Sequence, residues 1–169
     1  CIVCNAIRTA KLINQYKPIF DTWEDPQFVT LTVPNVAGLD LRDTIGAMTR
    51  TFQTVKDRLK KQHRRGQIGK FRGVRKLECT YNPVFDDSHP HFHFVVEGKT
   101  VAGALVNYWL QGWKNATRSA QDVRQADGGS MIELFKYFTK VVTDSSDGKR
   151  AIYAGSLDVI FNAVSGKRT

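Results

Sequence analysis

The chain has 169 residues, 41% hydrophobic and 24% charged, which is enough to bury one good core and too short for two domains with separate cores. No run of about 18 apolar residues is present, which excludes a helical membrane span. Lys and Arg number 25 against 16 Asp and Glu, and the formal charge of +9 favours a polyanionic partner, with nucleic acid first among them.

Residues 1–20 hold a Cys-x-x-Cys pair, Cys1 and Cys4, followed by Ile7, Leu12, Ile13, Tyr16 and Ile19, a mixed apolar and basic pattern that predicts a short helix. Asp21 to Pro26 breaks it. Gln27 to Val33 carries β-branched residues and is followed by Pro34-Asn35, which predicts a strand ended by a turn. From Leu39 to about Gln62, the residues Leu41, Ile45, Met48, Phe52, Val55 and Leu59 recur at steps of three and four. That spacing marks an amphipathic helix, with Asp40 or Asp43 as its cap. Lys60 to Lys76 is rich in Lys, Arg and Gly and enters a strand from about Arg72 to Tyr81.

Asn82-Pro83 and Asp86-Asp87-Ser88 supply turn residues, after which His91 to Glu97 alternates polar and apolar side chains, so the two strands are expected to form a hairpin. Ala102 to Lys114 reads as a helix, Ser119 to Arg124 as a short strand, and Asp127 to Ser130 as a loop that caps a helix over Met131 to Val142. A last helix is expected over Ala151 to Val164. Hairpin strands mixed with helices indicate α+β with an antiparallel sheet. The 3 cysteines cannot all pair, and Cys79 falls within a strand, which argues against a disulfide framework and for a reducing cytoplasm. Because the chain opens on Cys1 and stops in a basic stretch, it reads as a fragment or a processed product.

Two constellations carry chemistry. In His91-Phe92-His93-Phe94-Val95, period-two geometry sends both imidazoles to one face of the strand and the phenylalanines to the other. With a hairpin loop over Pro83 to Ser88, Asn82 faces His89 and Glu78 falls opposite His93, within reach of a shared metal ion. A slip by one residue would turn Glu78 away and bring the Cys79 face round instead. The second constellation is Glu133-Leu134-Phe135-Lys136-Tyr137-Phe138-Thr139-Lys140. At about 100° per residue, Glu133, Lys136, Tyr137 and Lys140 share one sector of a helix, and Glu133 and Tyr137 are i, i+4 neighbours.

Together they suit phosphodiester cleavage. A tyrosine hydroxyl has a pKa near 10 and needs a cation or base to attack at neutral pH, a service Lys136 or Lys140 can supply. An ion held by His91, His93 and Glu78 would polarise the phosphate, and Glu133 is placed to direct a water that ends the cycle. The basic residues Lys60, Lys61, His63, Arg64, Arg65, Lys70, Arg72, Arg75 and Lys76 are the candidate contacts to a DNA backbone.

These segments resemble the HUH endonucleases, and within them the single-tyrosine replication initiators of rolling-circle plasmids. Phe28 to Asn35 is similar to that family's first motif, Lys76 to Asn82 to the strand before the histidines, His89-Pro90-His91-Phe92-His93 to its metal motif, and Glu133 to Lys140 to its catalytic helix. The resemblance implies a five-stranded antiparallel sheet flanked by helices, Mg²⁺ or Mn²⁺ as cofactor, and a 5′ phosphotyrosine intermediate on single-stranded origin DNA. It also implies a hairpin at the nick site, a host helicase and other replication proteins as partners, and Glu133 in place of a second tyrosine. Tyr137 is then the nucleophile and His91, His93 and Glu78 the ligands, with His89 or another acidic residue as alternatives to Glu78. Cys1 and Cys4 resemble half of a cysteine-rich zinc motif, so zinc binds there only if ligands exist outside this chain. On this reading residues 1–20 are an N-terminal segment and 21–169 the catalytic domain. A transposase of the same chemistry and a non-catalytic DNA-binding module of the same fold are the alternatives.

Overall fold

The computed structural model describes residues 2–135, 143–144, 150–151 and 154–166, with side chains from residue 6 onward in the first of these ranges. Its centre is the histidine strand. β4 (Asp87–Glu97) lies between β3 (Gly73–Asn82) on one side and β1 (Pro26–Thr32) on the other, all antiparallel. Beyond β1, β2 (Val36–Ala37) pairs with the start of β4, and β5 (Asp122–Gln125) pairs with the outer edge of β1. The result is the expected α+β fold on a five-stranded antiparallel sheet.

Alternation along these strands separates two faces. One presents Val29, Leu31, Leu77, Cys79, Phe92, Phe94 and Val96, all buried, to α2 (Leu41–Arg64), α3 (Lys99–Gly112) and α5 (Ala154–Val164). The apolar stripe of α2 read from the sequence, Leu41 to Leu59, is the surface that packs there. The other face bears Thr30, Lys76, Glu78, His91 and His93, and at its apolar end Phe28 and Val95 meet α1 (Ile2–Phe20) and α4 (Gly128–Phe135). Tyr16 of α1 stacks on Phe135 at 5.4 Å, and Thr9 Oγ1 donates to the Phe135 carbonyl at 3.0 Å. The first helix thus holds α4 against the sheet.

Several expectations are corrected. Asn82 pairs with Asp87 rather than facing His89, so the hairpin loop is Pro83 to Asp86 and β4 begins four residues before His91. The turn is tightened by Asn82 Oδ1, which accepts from Val84 N–H at 3.0 Å, and by the Tyr81 hydroxyl, which donates to Asp86 at 2.7 Å. Glu78 therefore pairs with His91, and Lys76 with His93. A displacement of two residues keeps every side chain on its face, so Glu78 stays with the histidines. Asp40 makes no side-chain cap, because the chain enters α2 through a 3₁₀ turn, Gly38–Asp40, and Asp40 is already helical. Residues Arg150–Ala151 form β7, paired with β6 (Thr143–Asp144), so the last helix starts at Ala154. The helix predicted over Met131 to Val142 begins at Gly128, and its part beyond Phe135 lies outside the described residues. Asp127 does cap it: its carboxylate accepts from Ser130 N–H at 2.8 Å.

The end of α2 gives a first prediction. Gly66 has φ 69°, its N–H donates to His63 O at 2.9 Å, and Gln67 N–H donates to Gln62 O at 3.1 Å, the paired bonds of a left-handed helix stop. A Cβ at Gly66 meets nothing within 4 Å, so Gly66→Ala costs only the backbone conformation. The expected loss is about 1 kcal/mol, or ~2–4 °C in thermal midpoint. An unchanged midpoint would show that this stop contributes nothing to stability.

Candidate active site

His91, His93 and Glu78 are each at least nine-tenths buried, and one ligand atom from each lies within 4.8 Å of the other two. Burial of three such groups together is costly unless something satisfies them. Each imidazole has a defined partner on its Nδ1 side: His91 Nδ1 lies 3.0 Å from the His89 carbonyl and His93 Nδ1 lies 3.0 Å from Thr30 Oγ1. A ring that donates from Nδ1 presents the Nε2 lone pair on its other side, and His93 Nε2 is 3.5 Å from Glu78 Oε2. Desolvation by burial, then the neighbouring His93, holds His91 below the usual imidazole range, so its ring is neutral and able to ligate at neutral pH. Two imidazoles so oriented and one carboxylate form a mixed nitrogen and oxygen set that fits a divalent metal ion.

Thr30 is a site residue that the sequence did not single out. Alternation along β1 turns it to the polar face, and the pairing Thr30↔His93 shows that β1 delivers it to a histidine. Thr30→Val keeps the shape and removes the oxygen. Outer-sphere partners of this kind are worth roughly 10–100-fold in metal affinity, and a loss of about tenfold for Mn²⁺ is expected by titration. A variant that binds Mn²⁺ as the parent does would show that His93 is oriented by packing alone.

Lys76 belongs to the site as well. It was counted among the basic-stretch residues, yet it is only 8% exposed, and its Nζ lies 2.9 Å from Glu78 Oε2 and 3.5 Å from the main-chain oxygen of Glu133. Glu133 therefore sits on the histidine face of the sheet. Its carboxylate accepts from Arg124 Nη2 at 2.8 Å, while Arg124 also pairs with Asp122 and lies 4.2 Å over the Phe28 ring. Nothing in the sequence pattern links Arg124 to Glu133.

The expected DNA-contacting cations divide. Lys60, Lys61, Arg64, Arg65, Lys70 and Arg72 are exposed along the end of α2 and the loop into β3. Arg75 is not with them: it points to the opposite face from Lys76 and lies 4.6 Å over Phe92 and 4.9 Å over Phe52, where burial lowers its pKa. Alternation explains the split, since Arg75 and Lys76 are consecutive in a strand. Lys136, Tyr137, Lys140, Cys1 and the side chain of Cys4 lie outside the described residues. Among those described, no helix is long and apolar enough to cross a membrane.

Comparison with known proteins places this chain in a lineage. The chain is 29% identical over 177 aligned positions to a "Protein rep" of Streptococcus pneumoniae serotype 2 (strain D39 / NCTC 7466), covering 90% of this chain and 53% of that protein. It is 32% identical over 126 positions to a "Protein rep" of Staphylococcus aureus, covering 67% of this chain and 53% of that protein. The chain thus spans about half the length of the curated relatives it matches. No solved structure matches it. The family described as "Replication protein" (Rep_1) matches residues 1–169, and the chain therefore belongs to this family of rolling-circle plasmid replication initiators.

Proposed function

We propose that the chain nicks and rejoins single-stranded DNA at an origin by a metal-assisted transesterification that leaves a 5′ phosphate on Tyr137. The observation that carries this reading is the buried triad of Glu78, His91 and His93 on the sheet face where α4 lies. Bound there, Mg²⁺ or Mn²⁺ would polarise the scissile phosphate and offset charge on the leaving oxygen.

The tyrosine oxygen bonds to phosphorus and the bond to the 3′ oxygen breaks, with the tyrosine proton lost and a 3′ hydroxyl released. One phosphodiester replaces another, so the step reverses when a 3′ hydroxyl attacks and reseals the strand. Lys136, next to Tyr137 in the chain, or Lys140, three residues beyond it, favours the phenolate as it forms. Tyr137 lies four residues beyond Glu133, and a chain of that length reaches at most ~14 Å. Glu133 activates the water that ends the cycle, its carboxylate held in place by Arg124. Lys60, Lys61, Arg64, Arg65, Lys70 and Arg72 take the DNA backbone, which makes binding fall with salt.

The test is to incubate the protein with Mn²⁺ and a pool of random-sequence single-stranded DNA and seek an adduct that survives denaturing electrophoresis. An adduct supports the reading, and its captured strand reports the nicked site. DNA binding without an adduct would favour a non-catalytic module of the same fold.

A further inference from the structure

A lysine buried beside a metal-ligand carboxylate needs a reason. Lys76 could have been an apolar residue filling the same volume, since its neighbours along that face of β3 include Val74, which packs with Phe28 and Val95. Instead its ammonium stands between two elements, 2.9 Å from Glu78 Oε2 on its own strand and 3.5 Å from Glu133 O on α4. The same Glu78 oxygen is 3.5 Å from His93 Nε2. One carboxylate oxygen therefore faces both the ligand ring and the lysine.

We infer that Lys76 is a positioning residue that ties α4 to Glu78, so that binding of the metal and placement of the catalytic helix are coupled. The inference rests on the reading of Glu78 as a metal ligand. An ion drawn to Glu78 shares that carboxylate with the ammonium, so the two cations oppose each other while the lysine keeps α4 in place. Lys76 weakens metal binding and strengthens the geometry of the reaction. A lysine that merely supported Glu78 would strengthen both.

The experiment compares the parent with Lys76→Met and with Lys76→Met/Glu78→Gln, the second keeping the buried charge balanced should the first fold poorly. Amide hydrogen exchange over residues 128–135 is measured without metal, and in the parent and Lys76→Met also with Mn²⁺. Mn²⁺ affinity is read separately by electron paramagnetic resonance. Faster exchange in α4 is expected in both variants, with exchange that responds to Mn²⁺ in the parent and no longer in Lys76→Met. Mn²⁺ should bind Lys76→Met severalfold more tightly while adduct formation at saturating Mn²⁺ falls at least tenfold. Unchanged exchange in α4, or weaker Mn²⁺ binding in Lys76→Met, would overturn the inference. A parent that binds Mn²⁺ yet forms no adduct would sink the nicking reading and leave the exchange and affinity results to decide this one.

Discussion

Tyr137→Phe is expected to abolish the covalent adduct while leaving Mn²⁺ affinity and DNA binding at the level of the parent. The substitution removes one oxygen and nothing else, so a loss confined to the covalent step identifies that oxygen as the nucleophile. The rate should drop at least ~10³-fold, equivalent to about 4 kcal/mol in the barrier. Strand polarity makes the test sharper. With a 3′-labelled substrate the label should migrate with the parent protein on a denaturing gel, and with a 5′-labelled one it should appear in a shorter, protein-free product ending in a 3′ hydroxyl. An adduct persisting in Tyr137→Phe would mean that another residue attacks.

His93→Ala should remove metal binding and nicking together. In the proposed site His93 turns Nδ1 toward Thr30 and Nε2 toward Glu78, and its loss leaves the candidate group with His91 and Glu78. A three-ligand site reduced to two should lose more than the ~10–100-fold typical of outer-sphere partners, so a drop above about 10²-fold in Mn²⁺ affinity is expected by titration. DNA binding should persist, because the exposed cations at the end of α2 and in the loop before β3 are not among the groups gathered around this ring. Since His93 is buried, the variant also needs a melting curve, to separate loss of a ligand from loss of the fold. Nicking that survives with full metal affinity would place the metal elsewhere.

Much of the site was legible because strands and helices repeat. Period two placed His91 and His93 on one face and the phenylalanines on the other, and the structure packs Phe92 and Phe94 in the core as that requires. The three-and-four spacing in Leu41 to Leu59 likewise located the buried side of α2. The hairpin register was misjudged by two residues, because Asp87 and Ser88 are turn-type residues that the sheet took as strand, where they pair with Asn82 and Tyr81. The triad of Glu78, His91 and His93 survived that error for a physical reason: an even displacement preserves the face, and Glu78 is near both histidines, directly opposite one and diagonal to the other.

By itself the sequence determined the properties that repeat along a single element: which side chains share a face, where α2 buries its stripe, and that the histidine face is polar. Only the tertiary structure decided what stands next to that face. It put Thr30 behind His93, drew Lys76 out of the basic run to bridge Glu78 and α4, laid Arg75 over the rings of Phe52 and Phe92, and paired Arg124 with Glu133. Each of these depends on which strand or helix becomes a neighbour, and that choice is made by burying apolar faces against one another over long chain separations. A local pattern of residues carries no record of it.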